Sequence, residues 1–442
     1  MERPIPETMV AALHELAESL TTWCSDGRDG TLAEHEAAVL ERVLGVLPRL
    51  LQAVVEVATS GLDPRLARAR PACPRRGRKV PPHQVRRRQV TTQCGMVTLE
   101  APWSTCARCG HGWSVLESTL GVAPRQRLSA GLRAWLVRLG AATDYREAAE
   151  LLDLLTKLAI SPETIRRECV RVGTELAAAD DAAIKQTQRT RDAAEPVDPA
   201  PGLLVVEADG ATILFDDGWH EVKLGMVAGW EDDRLVGPSY VAAREPVGTF
   251  GPRLATEAAR RGALTIDRWA GGVTGRGLAI LRPAMVLGDG ATWIWGLADE
   301  YIDQRVEAVD FWHAGQHLHK AATALFGETA DATAWAEARK ADLATVGPAP
   351  VLAAFDRAKP PSPKAAELRR IERDYFAKRV EQMDYPTLRL DGLPIGSGPI
   401  ESAVDHVVQR RMKRAGMRWS LAGGQAMLAL RARLRSHRTL AA

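Results

Sequence analysis

The tetrad "DGAT" occurs twice in this chain, in "LLVVEADGATILF" and in "PAMVLGDGATWIW", each time at the end of an apolar run. Short runs rich in Val, Leu and Ile, bounded by turn residues, are the pattern of strands buried on both faces. One Asp-Gly pair after a strand is an ordinary turn. Two of them in matching settings, Asp209 and Asp289, constrain the fold far more, because they ask for an architecture in which two separate strands end side by side.

The stretch from 203 onward supplies that architecture. It reads as strand "LLVVEADGATILF", turn, strand "HEVKLGMVAGW", strand "RLVGPSYVAAR", helix "TFGPRLATEAARR", strand "PAMVLGDG", helix near "WIWGLADEYI", strand "VEAVDFW" and helix "AGQHLHKAATALF". Three strands in hairpin succession followed by alternating helix and strand is the order of an α/β, ribonuclease-H-like fold. In that order the first and fourth strands are neighbours, so Asp209 and Asp289 converge at one sheet edge. Two close carboxylates repel each other unless a cation lies between them, and hard oxygen ligands suit Mg2+ or Mn2+. Gly210 and Gly290 are expected to leave the backbone open to an approaching phosphate.

At 442 residues the chain is long enough for two or three domains. Residues 1–60 carry helical spacing, as in "HEAAVLERVLGVLPRLLQAVVEVA", and form a helical arm. Residues 61–122 hold Cys73, a β-like segment, and then Cys106 and Cys109 in "CARCGHGW". This is the layout of a zinc ribbon with one ligand missing, since Arg76 stands where a fourth cysteine belongs. Cys94, His83 or His111 could complete a zinc site if the fold brings one near; a metal-free ribbon is the alternative. Six cysteines are sparse for this length, so reduced thiols are expected rather than a disulfide framework.

Residues 123–193 alternate helices with short breaks. "SPETIRREC" offers Ser161 as N-cap, Pro162 at the first helical position and Glu163 in the first turn. The pattern is that of a helix-turn-helix with Thr164, Arg166 and Arg167 facing a groove, or of an ordinary bundle. The Pro-rich "AEPVDPAPG" separates this region from a catalytic domain at 203–442.

Formal net charge is only +3, but it is unevenly spread. Ten Lys/Arg and no acid fall in 65–88, and nine Lys/Arg and no acid fall from Gln409 to the end. Two acid-free basic blocks suit attachment to a polyanion.

The third acid is in "GLPIGSGPIESAVDHVVQRRMKRAGMRWS", where Glu401 follows a Gly-Ser-Gly turn and opens a basic helix. "GSGPIES" followed by "RRMKRAGMRWS" resembles the carboxy-terminal signature of DDE transposases of bacterial insertion sequences. The ISKra-type group is the nearest, with Mutator-like transposases more distant. "DGATILFDDGWHEVKLGMV", "GDGATWIW" and the Asp-x-x-His of "VDFWHAGQHLHKAA" fit the other blocks of that superfamily, so the resemblance runs from about 65 to 438.

It implies a D-D-E triad of Asp209, Asp289 and Glu401 holding two Mg2+ or Mn2+ ions, with Asp310 and His313 as auxiliary residues. It also implies an all-helical insertion at about 320–390. Arg410, Arg411, Lys413, Arg414 and Arg418 are then the phosphate-binding residues, and Trp312 or Trp419 the candidates to stack on an unpaired base. His313 and His317 are one helical turn apart, but Ala314 stands where "HExxH" has its glutamate, so a zinc protease is not supported.

The function so implied is metal-dependent cleavage at the element's ends and strand transfer into target DNA. A metal-dependent nuclease or resolvase without strand transfer, or an inactive DNA-binding remnant, is the alternative. Expected partners are DNA, as terminal inverted repeats and target, and further copies of the chain. No apolar run reaches the roughly 20 residues of a membrane helix, so a cytoplasmic, nucleoid-associated protein is expected. No Walker-type glycine loop supports an ATP-driven motor.

Overall fold

The computed structural model describes residues 6–25, 30–60, 70–123, 125–189, 200–262, 265–267, 278–280, 284–302 and 305–436. Arg65, Arg68 and Arg438 of the basic blocks, and most of the Pro-rich linker, lie outside them. The chain is mixed α/β and forms two compact units, residues 1–168 and 169–441.

In the first unit, helices α1 (Glu7–Ser25) and α2 (Leu32–Ser60) pack on each other as the apolar spacing requires. A hairpin follows, β1 (Gln84–Thr92) against β2 (Gly95–Thr105), in register from Gln84↔Trp103 to Thr92↔Gly95. The amide of Gln52 on α2 accepts from Thr98 N at 2.8 Å and donates to Thr98 O at 3.1 Å, pairing backbone groups of β2 that β1 leaves open. A two-residue strand β3 (Gly112–Trp113) and a short helix α3 (Val115–Thr119) complete the cysteine module.

Helices α4 (Ala130–Ala142) and α5 (Tyr145–Thr156) are capped by Ser129 and Asp144, whose side chains accept from backbone N–H groups of the first turn. Lys157, in the left-handed region, ends α5, and α6 (Pro162–Arg189) begins with Ser161 Oγ accepting from Thr164 N, as the sequence indicated.

The second unit is built on a five-stranded sheet of order β10-β9-β4-β5-β6. Strands β4 (Leu203–Phe215), β5 (Gly218–Glu231) and β6 (Arg234–Ala243) form an antiparallel meander. Helix α7 (Val247–Arg260) and a two-stranded pair, β7 (Thr265–Asp267) with β8 (Leu278–Ile280), come next. Strand β9 (Ala284–Gly288) then runs parallel beside β4, and after α8 (Thr292–Tyr301), β10 (Arg305–Val309) runs parallel beside β9.

Alternate residues of β4 face opposite cores. Leu204, Val206 and Ala208 pack with Phe250 and Leu254 of α7 and Ile294 and Leu297 of α8. Val205, with Met285 and Leu287 of β9, packs toward helix α9 (Phe311–Phe326) and the helices after it. Both faces are covered, which is why these strands read as unbroken apolar runs.

Helices α10 (Ala330–Thr345), α11 (Pro348–Arg357), α12 (Pro363–Ala377) and α13 (Tyr385–Leu390) occupy the span where an all-helical insertion was expected. After it come α14 (Gly398–Ala403), a π-helical segment Val404–Gln409, α15 (Arg410–Met412) and α16 (Leu421–Arg435). Arg431 of α16 donates to the carbonyls of Val407 and His406, satisfying acceptors within the π segment.

Candidate active site

The pairing of β4 with β9 runs Leu204↔Ala284 through Glu207↔Leu287, and Asp209 and Asp289 each lie two residues beyond that last pair. Asp209 shares a strand face with Val205 and Glu207, so its carboxylate lies on the α9 side of the sheet. The third strand of this edge, β10, ends at Val309, and buried Asp310 follows as the N-cap of α9, accepting from His313 N at 2.5 Å.

Glu401 arrives from the far end of the chain, and two buried carboxylates hold the segment that carries it. Asp310 Oδ2 accepts from Ser397 N, and Glu207 Oε2 accepts from Ile400 N at 3.1 Å. Phe311 N donates to Ile395 O at 2.9 Å, tying the same segment to the start of α9.

Sequence reasoning did not single out Glu207. The signal was present, since an acid inside an apolar strand, two residues before Asp209, points to the same face.

The acids feel one another. Burial pushes Asp209 up to about 6, with Asp289, Glu401 and Glu221 adding to the rise and the Gly210 N–H opposing it from 2.6 Å. Burial likewise raises Glu401, with Asp310 and Asp289 adding to it. Glu207, 1 % exposed, is driven up to about 8 by burial, against the Ile400 N–H and together with Asp310 and Glu401. Concentrated negative charge disfavours ionisation, which is the situation a bound cation relieves. The ligand atoms of the three acids do not all lie within 4.8 Å of one another. Among the described residues only Cys73, Cys106 and Cys109 form a group whose ligand atoms all lie within 4.8 Å of one another.

The two glycines do not play the part expected of them. A Cβ on Gly210 would meet Glu221 Oε1 at 2.7 Å, and one on Gly290, whose φ is +94°, would meet Arg379 Nε and Tyr375 Oη at 3.0 Å. The space beside each is filled by protein side chains, so close packing of the chain on itself, and not an open path for phosphate, explains these glycines. At Gly290 the neighbours also bind the loop. Tyr375 donates its hydroxyl to Asp289 O at 3.1 Å, and Arg379 donates to Gly290 O at 2.7 Å. Helix α12 and the residues just after it therefore brace the loop of the second acid.

The basic segment after Glu401 divides in two. Arg410, Lys413, Arg414 and Arg418 are exposed, Arg410 pairing with Asp405 at 2.7 Å. Arg411 is 1 % exposed and lies over the Trp419 ring, donating to Met417 Sδ, so it faces the interior and not a phosphate. Trp419 is buried as well. Its indole N–H donates to Met412 O, and its backbone pairs with Leu214 and Asp216 at the end of β4. A buried indole cannot stack on a base, which corrects that expectation. Trp312 is 59 % exposed, with Lys340 Nζ 4.7 Å from its ring centroid. His319 pairs with Glu337, while His317 turns toward His313.

In the cysteine module the knuckles are formed by backbone bonds, Gly77 N to Cys73 O and Gly110 N to Cys106 O, both 2.8 Å. Backbone N–H groups of Arg108 and Cys109 bring Cys106 down to about 7, in the range where a thiolate is available as a metal ligand. Cys73 and Cys109 sulfurs are 3.7 Å apart, and all six cysteines are free thiols. Cys94 lies at the turn of the β1–β2 hairpin, nine paired positions away from the knuckles, and is no fourth ligand. His111 stacks on Trp113 beside the trio.

The model of an uncharacterised protein family, UPF0236, matches residues 31–233. That span holds the cysteine module and Asp209 and ends before Asp289 and Glu401. No curated protein matches the chain. In similarity, then, the chain resembles that uncharacterised family over just under half of its length.

Proposed function

We propose that this chain is a DDE-type transposase that cuts DNA at the ends of an insertion element and joins them to a target. The observation that supports the reading is the parallel β4–β9 pairing, whose last pair, Glu207↔Leu287, comes two residues before both Asp209 and Asp289, with Glu401 in electrostatic range of both. The strand order β10-β9-β4-β5-β6, with three antiparallel and two parallel strands, supports a ribonuclease-H-like domain, and the helices between Phe311 and Leu390 support the insertion.

The residues suit hard divalent cations, for they offer oxygen donors whose mutual repulsion such ions would relieve. Two Mg2+ or Mn2+ ions at Asp209, Asp289 and Glu401 would supply an activated water or 3′-hydroxyl and stabilisation of the leaving oxygen in an in-line displacement. The chain's own contribution is placement. Asp310 and Glu207 fix the turn that bears Glu401, Tyr375 and Arg379 fix the loop of Asp289, and Arg410, Lys413, Arg414 and Arg418 are positioned to neutralise phosphates. Cys73, Cys106 and Cys109 would hold a Zn2+ ion in the amino-terminal module.

The test is a plasmid assay with Mg2+ or Mn2+ on DNA carrying the gene's own flanks, comparing native protein with Glu401→Gln. Cleavage and joining by the native protein, absent in the variant, is the expected result. Cleavage without joining would make the chain a nuclease or resolvase, and binding without cleavage a DNA-binding remnant.

A further inference from the structure

A line of polar side chains that the triad does not use runs from the helical insertion to the acid edge. Glu372 of α12 is 0 % exposed, an unusual place for a carboxylate in a helix whose other acids face solvent. Its Oε2 lies 2.5 Å from His317 Nδ1, and Lys320 Nζ approaches its Oε1 at 2.6 Å. His317 Nε2 lies 3.3 Å from His313 Nε2, one turn earlier on α9. The His317 ring is clamped flat on Tyr375, centroids 3.7 Å apart, and Tyr375 is the residue that binds the Asp289 carbonyl. His313 stands within electrostatic reach of Asp289 and Asp310.

Resting on the transposase reading, we propose that Glu372, His317 and His313 form a proton-accepting arm of the active site, with His313 as acceptor and His317 and Glu372 as positioning residues that decide which of its ring nitrogens is free. Glu372, held ionised by His317 and Lys320 despite its burial, only accepts, so His317 Nδ1 carries a proton. One proton occupies the Nε2···Nε2 contact between the two rings. With His317 neutral that proton belongs to His313, and His313 Nδ1 is left with a lone pair.

Burial and the neighbouring His317 keep His313 below its ordinary value, against Asp289 and Asp310, so the neutral form prevails near pH 7. The titratable and charged groups facing the arm are Lys320 on α9 itself, Glu372, the neutral phenol of Tyr375 and Arg379 from α12 and its end, Asp289 from the β9 loop and Asp310 from the end of β10.

The step balances. An oxygen lone pair of the attacking water forms the new bond to phosphorus while its proton passes to His313 Nδ1. The bond from phosphorus to the 3′ oxygen breaks with its electron pair going to that oxygen, which takes a proton from solvent. The His313 Nε2 proton can shift to His317 Nε2, leaving an imidazolium paired with Glu372.

Two measurements test this. In the native protein without DNA or metal, long-range 15N–1H correlation spectra should show His317 protonated on Nδ1 and His313 on Nε2; His317 protonated on Nε2 alone would overturn the proposal. In the plasmid assay, Glu372→Gln and His317→Phe should lower kcat by about 10- to 100-fold, the usual cost of losing a partner that orients a functional histidine, with KM for end-bearing DNA unchanged, and should shift the acid limb of the pH–rate profile.

A native-like profile in both variants would overturn the arm while leaving the transposase reading intact. Inactivity of the native protein itself would instead defeat that reading, and the arm with it. Equal losses in kcat and in DNA binding, with a lowered melting temperature, would show that the residues serve only the fold and would also overturn the proposal.

Discussion

Replacing Gly290 with alanine probes the join between the insertion and the site most directly. With φ at +94°, an alanine there is strained, and its Cβ would sit 3.0 Å from both Arg379 Nε and Tyr375 Oη. Backbone strain of this kind costs about 1–3 kcal/mol, and losing one neutral and one charge-assisted hydrogen bond to the loop adds about 2 kcal/mol. A total of about 3–5 kcal/mol corresponds to a fall in melting temperature of roughly 10 °C for a unit of this size. Tyr375→Phe alone removes one hydroxyl and should cost about 1 kcal/mol. If alanine at 290 already displaces Tyr375, the double variant should melt with Gly290→Ala, because the second change removes a bond that is gone. Calorimetric scans of the three variants decide it. A Gly290→Ala protein melting within about 1 °C of native, or strictly additive effects, would refute the packing argument.

Asp209 is raised in the folded state, so its ionisation opposes folding. The penalty is present above about 6 and is relieved as pH falls toward the ordinary carboxylate value of 3.8. Asp209→Asn should therefore melt higher than native at pH 7.5 while abolishing cleavage, and added Mg2+ should raise the melting temperature of the native protein more than that of the variant; the opposite order in thermal scans would contradict the site. Arg411→Ala should destabilise the fold by about 2–3 kcal/mol through lost packing on Trp419, whereas Lys413→Ala and Arg418→Ala should leave stability alone and reduce the salt slope of DNA binding by about 1 each. Titration of the two exposed variants against the buried one separates the two roles. Cys106→Ser should abolish stoichiometric Zn2+ uptake measured with a colorimetric chelator, and native protein that takes up none would mark the module as metal-free.

Asp209, Asp289 and Glu401 could be singled out along the chain because they sit in local contexts with strong signals. Asp209 lies within the apolar strand β4, Asp289 directly follows β9, and Glu401 follows a Gly-Ser-Gly turn, so element type could be read along the chain. The adjacency of the first and fourth strands also follows from the order of elements, and β9 is found beside β4. What could not be read are contacts whose partners are far apart in sequence and lack a periodic signature. Glu207 meets Ile400, His317 meets Glu372, and Tyr375 meets Asp289 only after the sheet and insertion have packed. The same limit explains the misreading of Arg411 and Trp419. Both lie in a run of basic residues that looks uniformly solvated, yet a π-helical segment ahead of them and α16 behind turn this pair inward.

The amino-acid order by itself determined which acids fall in or just after apolar strands, which stretch would be helical, and where cysteines would sit on knuckles, because these depend on periodicity and turn chemistry within a few residues. Only the tertiary structure decided how the acids are held and what faces them. Burial and the sum of neighbouring charges raise Asp209, Glu207 and Glu401, and such long-range electrostatic and packing energies exist only once distant segments share one low-dielectric interior.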